Sequence, residues 1–113
     1  MVKYNNNDIG GVTVKKDERY IVRDNRLLKN LVLSSTVLHS GKATSGHSHP
    51  GQEEVYFFVS GNGRMIVGKE NDEAFDVNAG DVILIPDGAF HRVFNNHVED
   101  LIFNCVFDGK RNH

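Results

Sequence analysis

Short apolar stretches, each bounded by glycine, proline, asparagine or charged residues, recur along this 113-residue chain. Several of them alternate apolar and polar residues, a period of two that is typical of a strand with one buried face. Stretches of this kind, separated by turns about ten residues apart, indicate an all-β barrel or sandwich. We predict strands over residues 12–16, 19–23, 31–38, 53–59, 63–68, 74–77, 82–85, 91–94 and 101–107.

No apolar repeat at helical spacing is sustained, although residues 25–30 could form one short helical turn. The first eleven residues are polar and include three consecutive asparagines, so we expect fraying at least as far as Asn7. Residues 69–73 are predicted to form a charged turn. Because there is no internal repeat and no low-complexity linker, the chain is predicted to be one domain over residues 1–113.

Two histidines with alternating spacing give the first candidate chemistry. His47 and His49 lie two residues apart, so in a strand both imidazoles leave the backbone on the same face. A turn at residues 50–51 would let the returning strand bring Glu53 or Glu54 against them. Imidazole nitrogen and carboxylate oxygen together suit a divalent transition metal. An isolated His-x-His pair is nevertheless more often an exposed pair without a metal.

A second stretch, residues 80–95, changes this interpretation. Its sequence is GDVILIPDGAFHRVFN, in which a short apolar run stops at Pro86 and a tight turn follows at residues 87–88. His91 then opens a further strand. Taken alone, His91 would be assigned a structural role.

Together the two stretches resemble the two motifs of the cupin family. The first motif, G-x5-H-x-H-x4-E-x6-G, spans residues 41–61, and the second, G-x5-P-x-G-x2-H-x3-N, spans residues 80–95. With a background frequency of about 5% per residue type, ten matches at fixed spacing arise by chance far less than about once in a million. The flanking strands, within residues 11–40 and 101–107, resemble a cupin only in being strand-like. The matching residues are Gly41, His47, His49, Glu54, Gly61, Gly80, Pro86, Gly88, His91 and Asn95.

The resemblance implies a small all-β jelly roll, the double-stranded β-helix barrel of cupins. It further implies one divalent transition metal, Fe, Mn, Zn, Ni or Co, held by three histidines and one glutamate. The spacing to Gly61 selects Glu54 as the ligand and leaves Glu53 as a solvated charge. Such a set leaves open coordination positions, which favours catalysis or small-ligand capture over a closed structural site. The implied ligands are His47, His49, Glu54 and His91.

Alternation along the strands predicts the lining of the pocket. Starting from Glu54, it places Tyr56 and Phe58 on the metal-facing side. Arg92 lies on the face opposite His91, while Arg64 could face either way. The predicted pocket is therefore apolar with few cations, which favours small apolar, enolic or carboxylate substrates over sugar phosphates. Tyr56 is expected to be a wall rather than a general acid. The predicted lining consists of Tyr56, Phe58, Val93, Phe103 and Cys105.

For the remaining polar residues we expect structural roles or none. Asn95 is expected to hold its loop through hydrogen bonds to the backbone, and Asp87 to be a turn residue. His39, which precedes the turn at Gly41, is expected to be exposed. No chemical role is expected for His97 and His113.

Composition narrows the class of protein. A chain of 113 residues buries roughly 65% of its unfolded surface and needs no disulfide. Its net charge of −2 gives no electrostatic case for binding nucleic acid or an anionic membrane. A single cysteine, Cys105, excludes an intrachain disulfide and fits a reducing compartment. No signal peptide or spanning segment is predicted, so the expected location is the cytoplasm.

Two classes of function remain open. One is a metal-dependent enzyme that acts on a small organic molecule, of the dioxygenase, isomerase, lyase or decarboxylase type. The other is a non-catalytic cupin that binds or senses a small ligand. Regulatory cupins usually carry a DNA-binding domain, for which 113 residues leave no room, so the enzyme is favoured. Exposed edges of the N-terminal strands, and the habit of cupins to dimerise, predict a symmetric homodimer.

Overall fold

The computed structural model describes residues 2–68 and 72–110, and this part of the chain forms nine strands and no helix. Consequently, the described ranges contain no helix with the length and apolar character needed to span a membrane. The strands are β1 (Val12–Lys16), β2 (Tyr20–Asn25), β3 (Leu31–Leu38), β4 (Glu54–Ser60), β5 (Asn62–Gly68), β6 (Glu73–Asn78), β7 (Val82–Ile85), β8 (Phe90–Phe94) and β9 (Leu101–Asp108).

Two antiparallel sheets make up the fold. The larger has the strand order β1-β2-β3-β9-β4-β7 and the smaller the order β6-β5-β8. In β3 buried residues alternate with more exposed ones, because strand side chains alternate between the interior and the outside. The inward side chains of both sheets form the core, so the predicted all-β jelly roll is confirmed. Its most buried apolar members, at 3% exposure or less, are Val32, Leu38, Phe58, Met65, Val77, Ile85, Ala89, Val93, Leu101, Phe103 and Phe107.

The strand boundaries lie close to the predicted ones, and the one predicted helical turn is absent from the described residues. Strands β1, β3 and β7 have the predicted bounds, and the others shift by one or two residues. The predicted helical turn at residues 25–30 is wrong. Asn25 is the last residue of β2, and its side-chain oxygen accepts a hydrogen bond from Leu27 N at 3.0 Å. This local side-chain bond turns the chain toward β3 in place of a helical turn.

The N-terminal segment is also better ordered than predicted. Asn5 and Asp8 exchange two backbone hydrogen bonds, of 3.3 and 3.0 Å, and so close a turn. The side chain of Asn104 donates to the carbonyl of Asn6 at 3.0 Å, and that of Asn25 donates to Ile9 at 2.7 Å. The expected fraying to Asn7 is therefore wrong, because amides from two strands tie this segment to the sheet. Most of the predicted charged turn, residues 69–71, lies outside the described residues.

Candidate metal centre

Histidines from two chain segments are aligned by a short backbone ladder. His47 N donates to His91 O at 3.2 Å, and His91 N donates to His47 O at 3.0 Å. The predicted strand around His47 is thereby reduced to isolated bridges to β8, at His47 and Ala43. The ladder places the segment that precedes β4 directly beside His91.

Three imidazoles converge at this point. The nitrogen atoms that His47, His49 and His91 offer all lie within 4.8 Å of one another. Their ring centroids are 4.8, 5.1 and 5.9 Å apart, and the rings are tilted relative to one another rather than stacked. His91 is buried, His49 is partly buried and His47 is exposed. The group therefore reaches from the interior to the mouth of the fold.

A carboxylate joins the group from β4. Glu54 is only 4% exposed, and its Oε2 lies 2.9 Å from His91 Nε2. Its cross-strand partners are Phe107 and Ile85, both buried, so Glu54 points into the interior with them. Glu53 is exposed to solvent.

The backbone selects the nitrogen that His91 presents. His91 Nδ1 lies 3.1 Å from the carbonyl oxygen of Ala89. A carbonyl oxygen only accepts hydrogen bonds, so Nδ1 is the donor in this contact, and Nε2 is the ring nitrogen left to face a ligand. Nε2 is the atom that faces Glu54. A hydrogen bond of this kind on the far nitrogen is the usual way in which a metal-binding histidine is oriented.

The donor set fits a divalent transition metal. Ligand atoms about 2.1 Å from an octahedral ion lie about 3 Å apart when adjacent and about 4.2 Å apart when opposite. The 2.9 Å between His91 Nε2 and Glu54 Oε2 matches the spacing of adjacent ligand atoms. The ligand nitrogens of the three histidines lie within 4.8 Å of one another, slightly more than the spacing of opposite ligand atoms. Nitrogen donors with one carboxylate suit Fe, Mn, Co, Ni or Zn better than Ca.

A cavity of about 70 Å³ adjoins the group and is more polar than the alternation predicts. Of the five predicted lining residues, Tyr56, Phe103 and Cys105 line it, whereas Phe58 and Val93 are packed in the core at 2% and 1% exposure. Apart from the histidines and Glu54, most of the other residues that line the cavity carry hydroxyl groups. The lining residues that sequence reasoning missed are Lys15, Tyr20, Val22, Ser34, Thr36, Thr44 and Ser45.

Part of that polar lining was readable from the sequence. Ser34 and Thr36 alternate in β3 with the buried Val32 and Leu38, and both are themselves buried, at 2% and 7% exposure. The same period of two that locates the core therefore also points these hydroxyls inward. No such signal exists for Lys15, whose direction depends on an irregularity in β1.

Aromatic rings close one side of the cavity. The ring of Tyr56 stacks on Phe103, with centroids 5.4 Å apart and an interplanar angle of 17°. Its edge meets His91 at 5.7 Å. These contacts hold Tyr56 flat against the core, as a wall residue requires.

An arginine outside the cavity supports two of its hydroxyls. Arg19 donates to Ser45 Oγ at 2.7 Å and to the Tyr20 hydroxyl at 3.1 Å. The same guanidinium hydrogen-bonds the Asp17 carboxylate and lowers its pKa to about 2. Asp17 therefore stays ionised throughout the neutral range, and Arg19 keeps its orientation.

The turn residues of the two motifs are linked through side chains. Asp87 accepts a hydrogen bond from Gly51 N at 2.7 Å, which joins the two motif turns beside the histidines. Asn95 is 1% exposed and donates to the carbonyls of Leu38 and Glu99 at 2.9 and 2.8 Å. The predicted roles of Asp87 and Asn95 as turn and loop residues are confirmed.

The other charged candidates lie away from the histidines. Arg64 pairs with Asp76 at 2.8 Å on the exposed surface, and Arg92 donates to Thr44 O at 2.8 Å. His39 lies 3.3 Å from the Asp100 carboxylate, and His97 is exposed in a loop. His113 lies outside the described residues.

Two antiparallel sheets that gather histidines and a glutamate at an interior cavity define the cupin class. The family comparison agrees, because the family described as cupin domain matches residues 35–107. The chain belongs to the cupin family.

Relatives and solved structures extend the comparison. Glucose-6-phosphate isomerase of Thermococcus kodakarensis is 28% identical over 106 residues, which is 85% of this chain and 56% of that enzyme. An oxalate decarboxylase of Arthroderma benhamiae is 36% identical over 92 residues, which is 74% of this chain and 22% of that one. The Lactobacillus farciminis oxalate decarboxylase formate complex superimposes with a TM-score of 0.76 at 28% identity, covering 82% of this chain and 30% of that chain. This chain thus spans about half of the isomerase and under a third of the decarboxylases.

Proposed function

We propose that this protein is a metal-dependent enzyme that acts on a small organic acid. The observation that carries the proposal is the convergence of three imidazole donors within 4.8 Å, with the Glu54 carboxylate 2.9 Å from one of them. His47, His49, Glu54 and His91 would hold one divalent transition metal. When bound, the metal would supply Lewis-acid chemistry toward a carbonyl or carboxylate oxygen, or lower the pKa of a bound water.

The residues of the chain limit what can react there. A cavity of about 70 Å³ has room for roughly five water-sized groups, if each needs about 10–15 Å³. A small acid fits this space better than a hexose phosphate does. The Tyr56 and Phe103 rings exclude water on one side, and the hydroxyl of Thr36, which lines the cavity, can donate a hydrogen bond to a carboxylate. Relatives that are oxalate decarboxylases support a carboxylate substrate.

Removal of the metal should abolish the activity. We expect that turnover of small carboxylic acids, or oxygen uptake in their presence, is lost after treatment with a chelator and returns with one particular divalent metal. The screen should measure product formation and oxygen consumption with each of Mn, Fe, Co, Ni and Zn. Saturable binding of an acid without turnover under any metal would contradict the enzyme and support the ligand-binding alternative.

We also propose that the protein is a homodimer, for two reasons visible on the larger sheet. Strand β1 is at its edge and all five of its residues are exposed. In addition, the outer face carries an apolar row that crosses four strands, in which each residue is the cross-strand partner of the next. Leu84, at one end, is 71% exposed. An apolar row of this length is typical of a surface that another molecule covers. The row consists of Leu33, Val106, Val55 and Leu84.

Light scattering tests this assembly. At micromolar concentration the native protein should have twice the chain mass of 12.7 kDa, and Leu84→Glu should shift it toward the single-chain mass because a charge would be buried at the contact. Val98→Glu, at a loop residue that is 90% exposed, is the matched control and should remain dimeric. A native protein that elutes as a monomer would refute the dimer.

A further inference from the structure

Strand β1 contains an irregularity that decides which of its side chains face inward. Thr13 is the partner of Arg23, but the next partnered residue is Lys15, opposite Val22. A β-bulge therefore lies between Thr13 and Lys15. Without it, simple alternation would place Val14 opposite Val22. Bulges redirect side chains in this way, and they are over-represented next to active sites.

The register carries Lys15 to the cavity. Val22 is the partner of Thr36, and Thr36 is the partner of Phe103. Residues directly opposite one another in neighbouring strands project to the same face, so Lys15 shares the face of these three. All four line the cavity that also contains His47, Glu54 and His91. Lys16, which is partnered with Ile21, projects to the other face.

The charge of Lys15 is available to a ligand. Within residues 2–68 and 72–110, the Lys15 ammonium makes no ion pair, whereas Arg19 is engaged by Asp17. Apart from histidine, Lys15 is the one basic side chain in the described lining of the cavity. The remaining polar groups there are mainly neutral hydroxyls. An ammonium among hydroxyl donors matches one carboxylate, whereas a phosphate with about two charges usually needs more cations or a bidentate arginine.

We propose that Lys15 is a specificity-determining residue that binds a carboxylate of the substrate in the cavity that His47, Glu54 and His91 also line. This inference rests on the proposed function, because the metal centre would hold the other end of the molecule. A dicarboxylate or oxo acid with two or three carbons then spans the cavity between the two. The β-bulge is what makes the site, since it turns a lysine of an exposed edge strand toward the interior.

The test uses the full chain, cobalt(II) as the metal and malonate as the dicarboxylate. Cobalt binding is followed by its visible absorption, and malonate affinity by titration calorimetry at low ionic strength. We expect Lys15→Gln to bind cobalt normally and to lose about tenfold in malonate affinity, the usual size of one charge-assisted hydrogen bond. Lys15→Arg should restore most of that loss. Lys16→Gln is the matched control, one residue away on the opposite face, and should bind malonate as the native protein does.

Each outcome separates this inference from the proposal on which it rests. If neither the native protein nor any of the variants binds cobalt, both the metal centre and the role of Lys15 are refuted. If cobalt binds throughout but Lys15→Gln and Lys16→Gln have equal malonate affinity, the role of Lys15 is refuted and the metal centre stands. If inorganic phosphate binds more tightly than malonate and depends on Lys15, the assignment to a carboxylate is wrong.

Discussion

Replacing His91 by Ala should reduce the affinity for the metal by about 100-fold or more. Even loss of a group that only orients a ligand costs about 10–100-fold, and His91 offers the donor atom itself. Its Nε2 lies 2.9 Å from the Glu54 carboxylate and within 4.8 Å of the donors of His47 and His49. With one equivalent of metal supplied, elemental analysis after dialysis should therefore find little metal in this variant and close to one equivalent in the native protein.

Two glutamates provide a matched pair of controls for this experiment. Glu54→Gln removes a negative charge that is 4% exposed at the site and should also weaken metal binding. Glu53→Gln makes the same change one residue earlier, on the exposed face, and should leave metal binding unchanged. Full occupancy in His91→Ala would refute the assignment of the ligands. If Glu53→Gln were the damaging change, the register of β4 would be wrong by one residue.

His91 is also a buried side chain, so stability has to be measured separately from metal binding. It is 3% exposed, and its ring contacts that of Tyr56. Thermal unfolding of the metal-free variants separates the two effects. If metal-free His91→Ala remains folded at the temperature of the dialysis, its metal loss reports the missing ligand and not a disordered site.

The sequence predicts this fold well wherever every second residue of a strand faces the interior without interruption. In β4 the alternation from Glu54 through Tyr56 to Phe58 assigns all three to the interior, and all three are buried. Ten fixed motif positions add the long-range information that alternation lacks, because they connect His91 to histidines more than forty residues earlier. Local pattern and family spacing therefore agree on the same interior.

The failures occur where long-range contacts or irregular backbone override the local pattern. Phe58 faces inward as predicted but lies too deep to reach the cavity, and depth along a strand has no periodic signal. The polar N-terminus looks frayed in isolation, yet the amide of Asn104, almost a hundred residues later, holds it. In β1 a bulge places Lys15, and not Val14, opposite Val22, and nothing in the five-residue sequence VTVKK marks it.

The most consequential prediction for stability concerns Asn95. Its amide makes three hydrogen bonds while 1% exposed: to the carbonyls of Leu38 and Glu99, and from His97 N at 3.0 Å. Alanine would leave these three backbone groups without that partner. At about 1 kcal/mol for each net hydrogen bond, Asn95→Ala should lower the free energy of unfolding by about 3 kcal/mol, a large fraction of the 5–15 kcal/mol typical of a domain. Urea unfolding measures it, with an unchanged slope expected.

The neighbouring residue, Asn96, provides a matched control for this prediction. Asn96→Ala alters an identical but exposed amide in the same loop and should change the free energy of unfolding by less than about 0.5 kcal/mol. Asn95→Asp keeps the acceptor for His97 N but replaces both donors with a buried carboxylate, so it should be at least as damaging as alanine. If Asn95→Asp were as stable as the native protein, the two donor bonds to Leu38 and Glu99 could not be what closes this loop. Equal unfolding energies for the alanine variants at positions 95 and 96 would lead to the same conclusion.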